Sequence, residues 1–344
     1  MPRGKLIVSV IIASKNGEKF LKRCIDSILL ESGNYEIIVI DDGSTDQSGS
    51  LLRKLYDDNI KVNLVSLKHN VGAARARNIG VSESRGKYLL FLDADTKIKS
   101  GWFIEVISFF DRNKLAGAAQ VKLLTMGTNK YDYAGDAMGS LGFLIERARG
   151  VVDGGQFDQE TPIFSGKSAG MIIRRKTFEQ LSGFDEDYQI FLEDTDLFWR
   201  TWLAGYQVLF APKITVWHAY QTDEKPFSYY IDNQVFYRGC KNTLTTLIKN
   251  LGIERLWYLF PVNVGCWVVL AVFALLKMDL RRSSNIIGGI IWNIINLDDT
   301  LKKRRVIQFN RVVSDDQIFK KVGGKQNWQY YLGKGIAYIF NKPF

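Results

Sequence analysis

Short apolar runs of strand length alternate with amphipathic helical patterns through the first ninety residues of the chain. Four such runs, at residues 6–13, 36–40, 62–66 and 88–92, are rich in β-branched side chains. Strands that are buried on both faces and joined by helices are typical of a doubly wound, mainly parallel sheet. Ligands of such sheets bind outside the carboxyl ends of the strands. The pattern therefore predicts an α/β fold and indicates where its functional site should lie.

Two of these predicted strands end in acidic residues. Asp93 and Asp95 follow the fourth strand and point the same way, because side chains alternate along an extended chain. Two carboxylates on one side suit Mg²⁺ or Mn²⁺, which complete their coordination with water and substrate phosphates. Asp41 and Asp42 follow the second strand at the same edge of the sheet. A solvated acidic turn would give the same residues, so the surrounding motifs have to decide.

Four segments in a fixed order carry a resemblance to a known family: SVIIASKNGE at 9–18, IDDGSTD at 40–46, GAARARNIG at 72–80 and FLDAD at 91–95. They resemble the successive motifs of the family 2 inverting glycosyltransferases with the GT-A fold. A further block between residues 183 and 218 is similar to the branch that includes many rhamnosyltransferases acting on lipid-linked glycans. The resemblance covers roughly residues 5–222 and implies transfer of a sugar from a nucleoside-diphosphate sugar to a hydroxyl group.

The resemblance implies roles for particular residues. Asp93 and Asp95 would bind the metal, and His218, at the end of a short apolar strand, would complete the site. An isolated histidine on a strand is otherwise more often structural. The other positions that match the family and are expected to bind the donor are Ala13, Glu18, Asp42, Arg77 and Asn78, with Asp93 also meeting the ribose. For Arg77 and Asn78 the sequence does not separate contact with the donor from support of the loop.

The catalytic base is expected in the sequence FLEDTDLFWR at 191–200, which reads as the start of a helix. Acidic residues stabilise the positive end of a helix dipole, so the carboxylates alone need no catalytic role. In the family, however, the Glu-Asp pair supplies the general base. The resemblance therefore implies Asp194 as base, with Glu193 as the alternative or as a group that positions the acceptor.

Other functions that use a similar fold predict different sequence features. A sugar nucleotidyltransferase normally has a glycine-rich phosphate loop after its first strand, and residues 14–20 contain one glycine. An inactive membrane scaffold would be expected to lose metal or base positions, yet Asp93, Asp95, Asp194 and His218 are all present. A polyprenyl-phosphate glycosyltransferase remains an alternative within the same chemistry. Glycosyl transfer in polysaccharide or glycan biosynthesis is the favoured function.

Charge divides the chain into two regions. Residues 226–344 contain 17 basic and 7 acidic residues, so the formal net charge of +10 belongs to this region. The longest uncharged run, residues 256–276, lies there and just reaches the length needed to cross a bilayer. Crossing once would place the following basic cluster outside the cytoplasm, which opposes the positive-inside tendency. A surface-lying or embedded arrangement, a helical subdomain packed on the catalytic domain, and a single span all remain open.

The sequence therefore predicts a GT-A catalytic domain at residues 1–225 and a basic, helical, membrane-associated region at 226–344. The expected partners are a nucleoside-diphosphate sugar, a lipid-linked saccharide acceptor and a membrane surface with anionic lipids, and no nucleic acid is expected. Three cysteines far apart form no metal-ligand spacing. With no cleavable signal apparent, the expected location is the cytoplasmic face of the cell membrane.

Overall fold

The computed structural model describes residues 6–219 and 234–324 of the 344-residue chain. The strands are β1 (Val8–Ser14), β2 (Tyr35–Asp41), β3 (Val62–Ser66), β4 (Tyr88–Asp93), β5 (Thr96–Ile98), β6 (Ala116–Thr125), β7 (Tyr131–Tyr133), β8 (Asp136–Gly139), β9 (Leu144–Glu146), β10 (Gly170–Arg174), β11 (Gln207–His218) and β12 (Gly323–Gly324). The helices are α1 (Glu18–Leu29), α2 (Ser48–Tyr56), α3 (Ala73–Ser82), α4 (Trp102–Arg112), α5 (Arg175–Gln180), α6 (Glu193–Leu203), α7 (Val235–Asn250), α8 (Ile253–Leu276), α9 (Leu280–Ile295), α10 (Leu297–Phe309) and α11 (Asp315–Val322). A 3₁₀ turn covers Glu186–Tyr188.

Two compact units make up the chain. The first lies within Met1–Asp136, Glu146–Thr201 and Tyr206–Tyr220. The second lies within Ala137–Ile145, Trp202–Gly205 and Gln221–Phe344. The first unit contains the predicted strands, and the second contains the long helices that follow them.

A nine-stranded sheet in the order β3-β2-β1-β4-β10-β6-β11-β5, with β7 beside β6, forms the first unit. Strands β3, β2, β1 and β4 run parallel, and β10 is antiparallel to both of its neighbours. The predicted α/β fold is therefore confirmed, and the four predicted strands form its parallel half. Their bounds shift by one or two residues, because backbone pairing extends past the apolar side chains into Ser14 and Asp41.

Strand β1 is buried on both faces, as its continuous apolar sequence requires. Val10 and Ile12 belong to one core cluster together with Leu21 of α1, and all three are fully buried. Ile11 points to the opposite face, where it meets α3. A Cβ atom at Gly80 would lie 2.5 Å from Ile11 Cγ2, so glycine lets α3 approach the strand. This packing fixes the edge at which the parallel strands end.

The carboxyl ends of β1, β2 and β4 lie side by side at that edge. Ala13 pairs with Ile40 on one side and with Asp93 on the other. Asp42 continues the ladder, since its amide donates to the carbonyl of Ser14. The first and fourth sequence motifs are thus brought together by strand register alone.

The second unit is built from helices α7 to α11. Its small core contains Cys240, Leu244, Ala271 and Ile286. Within the residues that the structure describes, α8 is the one helix long and apolar enough to cross a membrane, with a mean hydropathy of 2.3 over its most apolar window. Most of that window is exposed in this unit. The assignment of α8 as a candidate membrane-crossing helix rests on its length and composition alone.

Candidate active site

Two neighbouring aspartates and a histidine distant in the sequence form an acidic cluster at the carboxyl edge of the sheet. Asp93 ends β4, Asp95 follows it, and His218 ends β11. One ligand atom from each of the three lies within 4.8 Å of the other two. The pairing of β11 with β5, which places His218 opposite Thr96, brings the imidazole to the two carboxylates. This donor set suits a divalent cation such as Mn²⁺ or Mg²⁺.

The imidazole of His218 is oriented by a fourth residue. Its Nδ1 lies 2.9 Å from Oδ2 of Asp132, while its Nε2 lies 3.5 Å from Oδ1 of Asp95. Arg149 in turn donates to the other oxygen of Asp132 at 2.8 Å. A carboxylate behind a histidine is the usual arrangement around a metal-binding imidazole, because it fixes which nitrogen carries the proton. The arrangement therefore directs Nε2 of His218 toward the cluster.

The carboxylates around His218 favour its protonated form. Burial by itself lowers the pKa of His218, but Asp95 and Asp132 outweigh it and raise the pKa to about 10. A site that retains a proton so firmly favours positive charge in general. The residues present therefore fit a divalent cation, both in donor type and in charge.

Arg77 connects the cluster to the acidic helix α6. Its guanidinium donates to Asp93 Oδ1 at 2.9 Å and to Glu193 Oε1 at 2.7 Å. Arg77 and Glu193 are both buried, whereas Asp93 is one-third exposed. Arg77, expected to contact the donor, thus forms the link between the acidic cluster and the expected base. It belongs to the site, but its two hydrogen bonds go to protein carboxylates.

The two acidic residues at the start of α6 have different surroundings. Glu193 is buried against Arg77, and its Oε2 accepts no hydrogen bond within the described residues. Burial and the charge of Asp194 raise the pKa of Glu193 to about 7 against the opposing effect of Arg77. Asp194 is half-buried, and its carboxylate accepts hydrogen bonds from the amides of Ser168 at 3.0 Å and Thr195 at 2.7 Å. Asp194 is therefore the one of the pair that a substrate can reach.

The backbone before α6 adopts an unfavourable conformation. Gln189, Phe191 and Leu192 have φ angles of 60°, 72° and 64°, in the left-handed region that side chains other than glycine rarely adopt. Such strain clusters at functional sites, where the surrounding structure holds it in place. One support is visible here, since the amide of Ala74 donates to the carbonyl of Gln189. Helix α3 thereby helps to fix the approach to Glu193 and Asp194.

Asp42 organises the loop before α3. Its carboxylate accepts hydrogen bonds from the amides of Val71 at 2.7 Å and Gly72 at 3.1 Å, and from the side chain of Asn70 at 2.8 Å. Gly72 has a φ of 89°, and a Cβ atom there would lie 3.1 Å from Gln189. The Asp42 motif and the glycine motif at 72–80 are thus parts of one structure at the sheet edge.

The other expected donor contacts lie at different distances from this centre. Ala13 is adjacent to Asp93 in the sheet. Glu18 lies at the start of α1, where it accepts a hydrogen bond from the amide of Gln47 at 3.3 Å. Asn78 holds both backbone groups of Phe184 and is not brought to the acidic cluster. Its hydrogen bonds attach α3 to the segment that leads into α6.

Asp132 and Ser168 were not identified from the sequence. Asp132 lies between two tyrosines in the short strand β7, and a single charged residue in such an apolar setting is the only local signal. Ser168 contributes its backbone amide to Asp194, and any residue except proline could do so. Neither position has a motif of its own.

Comparison with known proteins finds glycosyltransferases among the relatives of this chain. The putative teichuronic acid biosynthesis glycosyltransferase TuaG of Bacillus subtilis is 36% identical over 100 residues, which is 29% of this chain and 40% of that protein. The first curated relatives match over about a third to about half of their own length, between 31% and 55%.

Two solved structures share the fold. S. aureus TarS 1–349 in complex with UDP-GlcNAc has a TM-score of 0.58 and 16% identity, and the match covers 98% of this chain and 93% of that one. GalNAc-T7 with UDP, GalNAc and Mn²⁺ has a TM-score of 0.56 and 20% identity, with 72% of this chain and 48% of that one covered. At these identities the likeness shows the fold alone, and that fold is the GT-A fold. Residues 9–181, half of the chain, match the family described as glycosyl transferase family 2, and the chain belongs to that family.

Proposed function

We propose that this protein is an inverting, metal-dependent glycosyltransferase that moves a sugar from a nucleoside-diphosphate sugar to a hydroxyl of a lipid-linked saccharide. The observation that carries the proposal is the convergence of Asp93, Asp95 and His218 on one cluster, tied through Arg77 to the acidic start of α6. A metal cluster serves the leaving diphosphate, and an accessible carboxylate serves the attacking hydroxyl. Both requirements are met within one compact unit.

Asp93, Asp95 and His218 would hold the divalent cation, which when bound neutralises charge on the leaving diphosphate. Asp93 would in addition contact the ribose. Asp132 lies within hydrogen-bonding distance of Nδ1 of His218 and would thereby direct Nε2 toward the cation. The donor set is compatible with both Mg²⁺ and Mn²⁺.

The nucleotide would lie along the carboxyl edge of β1 and β2. Ala13 offers its backbone there, and Asp42 orders the loop at 70–72 beside it. Glu18 lies at the entrance to α1 on the same edge. Asn78 and Arg77 would contribute to donor binding indirectly, by holding the residues that surround the donor in place. The similarity of residues 183–218 to rhamnosyltransferases makes a rhamnosyl donor one candidate among hexosyl donors.

Asp194 would accept the proton of the attacking hydroxyl. Its half-buried carboxylate is held by two backbone amides, so the oxygen atoms are fixed in place while one side remains reachable. Burial raises the pKa of Asp194 above its ordinary value, against the effects of the Ser168 amide and Arg77, and a raised pKa makes a carboxylate a better base. A single in-line displacement by the activated hydroxyl inverts the anomeric carbon. Glu193 is the alternative base.

The acceptor is proposed to be lipid-linked, and the enzyme to work on the cytoplasmic face of the cell membrane. The long apolar helix α8 and the net charge of +10, which lies wholly after residue 225, support membrane association through apolar contact and anionic lipid. The name of the relative TuaG, a putative teichuronic acid biosynthesis glycosyltransferase, supports a role in glycan biosynthesis. Residues 1–225 would form the catalytic domain and residues 226–344 the membrane-associated region.

A binding screen tests the donor and the metal together. UDP-, GDP- and dTDP-sugars are titrated into the full-length protein with Mn²⁺, with Mg²⁺ and with a chelator. We expect one nucleotide to bind much more tightly when metal is present. The selected donor is then supplied with a saccharide acceptor that either carries or lacks a lipid tail. Equal transfer to both acceptors would contradict the lipid-linked acceptor.

Asp95→Ala should remove the metal-dependent part of donor binding. Asp95 is buried and supplies one of the three ligands, so its loss leaves an incomplete cluster around His218. Calorimetric titration of the selected nucleotide should give the same affinity with and without Mn²⁺. The control is Asp58→Ala at an exposed position after α2, in which Mn²⁺ should still increase the affinity for the nucleotide. Retention of the full metal effect in Asp95→Ala would place the metal elsewhere.

Asp132→Asn should weaken Mn²⁺ binding by about 10- to 100-fold, because the partner that fixes the His218 tautomer loses its charge. Electron paramagnetic resonance of free Mn²⁺ measures this affinity without any turnover. Asp136→Asn is the matched control, since Asp136 is also buried but bonds to Ser165. Equal Mn²⁺ affinity in the two variants would contradict the positioning role of Asp132.

A further inference from the structure

Helices α8 and α9 expose many large apolar side chains and bury several polar ones. Helix α9 buries Ser283 and Asn293 but exposes Ile287, Ile291 and Ile294. Asn293 is bonded inside the unit, donating to the Lys241 carbonyl and accepting from Thr245. A helix at a water surface shows the opposite distribution.

Helix α8 likewise combines a buried polar residue with exposed apolar ones. Its Asn263 is fully buried and donates to the carbonyl of Leu141, whereas Val269, Val272 and Leu276 are half or more exposed. No residue from 256 to 276 is charged. Exposed apolar surface of this kind marks an interaction site, and a helix with apolar side chains outside and a polar side chain inside suits a lipid environment. The exposed apolar residues of α8 and α9 are called the apolar face below.

A cavity of about 700 Å³ lies at the amino-terminal end of α8, where the uncharged run begins. Its lining includes four arginines, Arg255, Arg304, Arg305 and Arg311. Trp257, one turn further along α8, is 71% exposed. Tryptophan and arginine at the boundary of an apolar surface are characteristic of the headgroup level of a membrane.

The four arginines are not equally engaged. Arg255 pairs with Asp316, and Arg311 pairs with Asp315. Arg304 donates from Nη1 to the carbonyls that end α7, among them Leu251 at 2.6 Å, and forms no ion pair in the part of the chain that is described.

Arg305 is exposed and has neither an ion pair nor a hydrogen bond to any described residue. Glu254 at the rim of the cavity is exposed and opposes part of this charge. The four arginines outnumber the three acidic residues of the lining. The guanidinium of Arg305 is therefore available to a ligand in this cavity, at the end of the helix that carries part of the apolar face.

We propose that this cavity binds the phosphate of an anionic membrane lipid through Arg305 and Arg304, while the apolar face of α8 and α9 contacts the acyl chains. Guanidinium groups bind phosphate oxygens through charge-assisted hydrogen bonds, often two at a time. A membrane phospholipid carries both a phosphate and apolar chains, so it matches both features. The inference rests on the membrane association proposed above but not on glycosyl transfer.

The test is binding of the full-length protein to vesicles of phosphatidylcholine, with and without phosphatidylglycerol, measured by flotation. We expect preference for the anionic vesicles. Lys302→Gln, on the same helix but outside the cavity, should weaken that binding by about fivefold, as expected for one basic residue near the surface. Arg305→Gln removes the same charge and in addition its phosphate contact, so the loss should be roughly fiftyfold. Soluble glycerol phosphate should compete weakly, because it has no chains for the apolar face.

A second variant tests the apolar face separately. Val269→Asn with Val272→Asn alters two exposed positions, so folding should be retained. Binding to both kinds of vesicle should fall, at unchanged nucleotide binding by the catalytic unit. Equal losses in Lys302→Gln and Arg305→Gln would overturn the cavity as a phosphate site. Failure of the wild type to bind either vesicle, together with loss of self-association in the double variant, would assign the face to a second copy of this chain.

Discussion

Asp194→Asn is expected to lower the rate of sugar transfer by roughly 10²- to 10⁴-fold, the range that a general base contributes. The substitution keeps the shape of the side chain and removes its ability to take a proton, while its amide nitrogen gives up one of the two hydrogen bonds accepted from Ser168 and Thr195. Asp194 lies outside the cluster of Asp93, Asp95 and His218, so the affinities for metal and donor should remain close to those of the wild type. The measurement is a single-turnover transfer assay beside calorimetric titration of the donor.

The pH dependence provides an independent check on this assignment. A base works in its deprotonated form, so transfer falls as pH drops through its pKa. Because burial raises the pKa of Asp194, the acidic limb should lie above the range of an ordinary aspartate. Asp58→Asn, an exposed control, should leave rate and profile unchanged. Near-normal transfer by Asp194→Asn would instead assign the base to Glu193.

The parallel half of the sheet could be predicted because its signals are local. Strand β1 has a continuous apolar sequence and pairs on both sides, so its burial on two faces can be predicted from consecutive residues. Strand β7 could not be found in that way, since its three residues gain their strand structure from pairing with β6. Helix α8 was recognised by length and hydropathy, yet its buried Asn263 and exposed valines depend on packing that no periodicity encodes.

The candidate site divides in the same manner. Asp93 and Asp95 follow a strand directly, and their common direction follows from side-chain alternation. His218 could be associated with them only through the family resemblance, because more than a hundred residues separate it from β4. Its partner Asp132 reaches the site through β7, a strand without a sequence signal. The link made by Arg77 could not be predicted either. The sequence does not distinguish an arginine buried between two carboxylates from an arginine that faces a phosphate.

Arg77→Met is expected to destabilise the fold by roughly 3–5 kcal/mol, the cost of removing one partner from a buried ion pair. Glu193 would be left buried without its cation, and its Oε2 already has no hydrogen bond among the described residues. Denaturant unfolding measures the loss. Arg75→Met on the same helix is the matched control, because Arg75 is more than half exposed and its 3.6 Å pair with Glu186 should contribute less than about 1 kcal/mol.

The loss in Arg77→Met should grow with pH. Without the guanidinium, the folded-state pKa of Glu193, already raised to about 7 by burial and Asp194, rises further above its unfolded value. The folded state then binds more protons than the unfolded state, so the free energy of unfolding falls as pH rises. Adding Glu193→Gln removes the stranded charge and should restore much of the stability and flatten the pH dependence. Equal instability of Arg77→Met and the double variant at all pH values would assign the loss of stability to packing or to Asp93. The Arg77–Glu193 pair would then not be what holds α6 beside the acidic cluster.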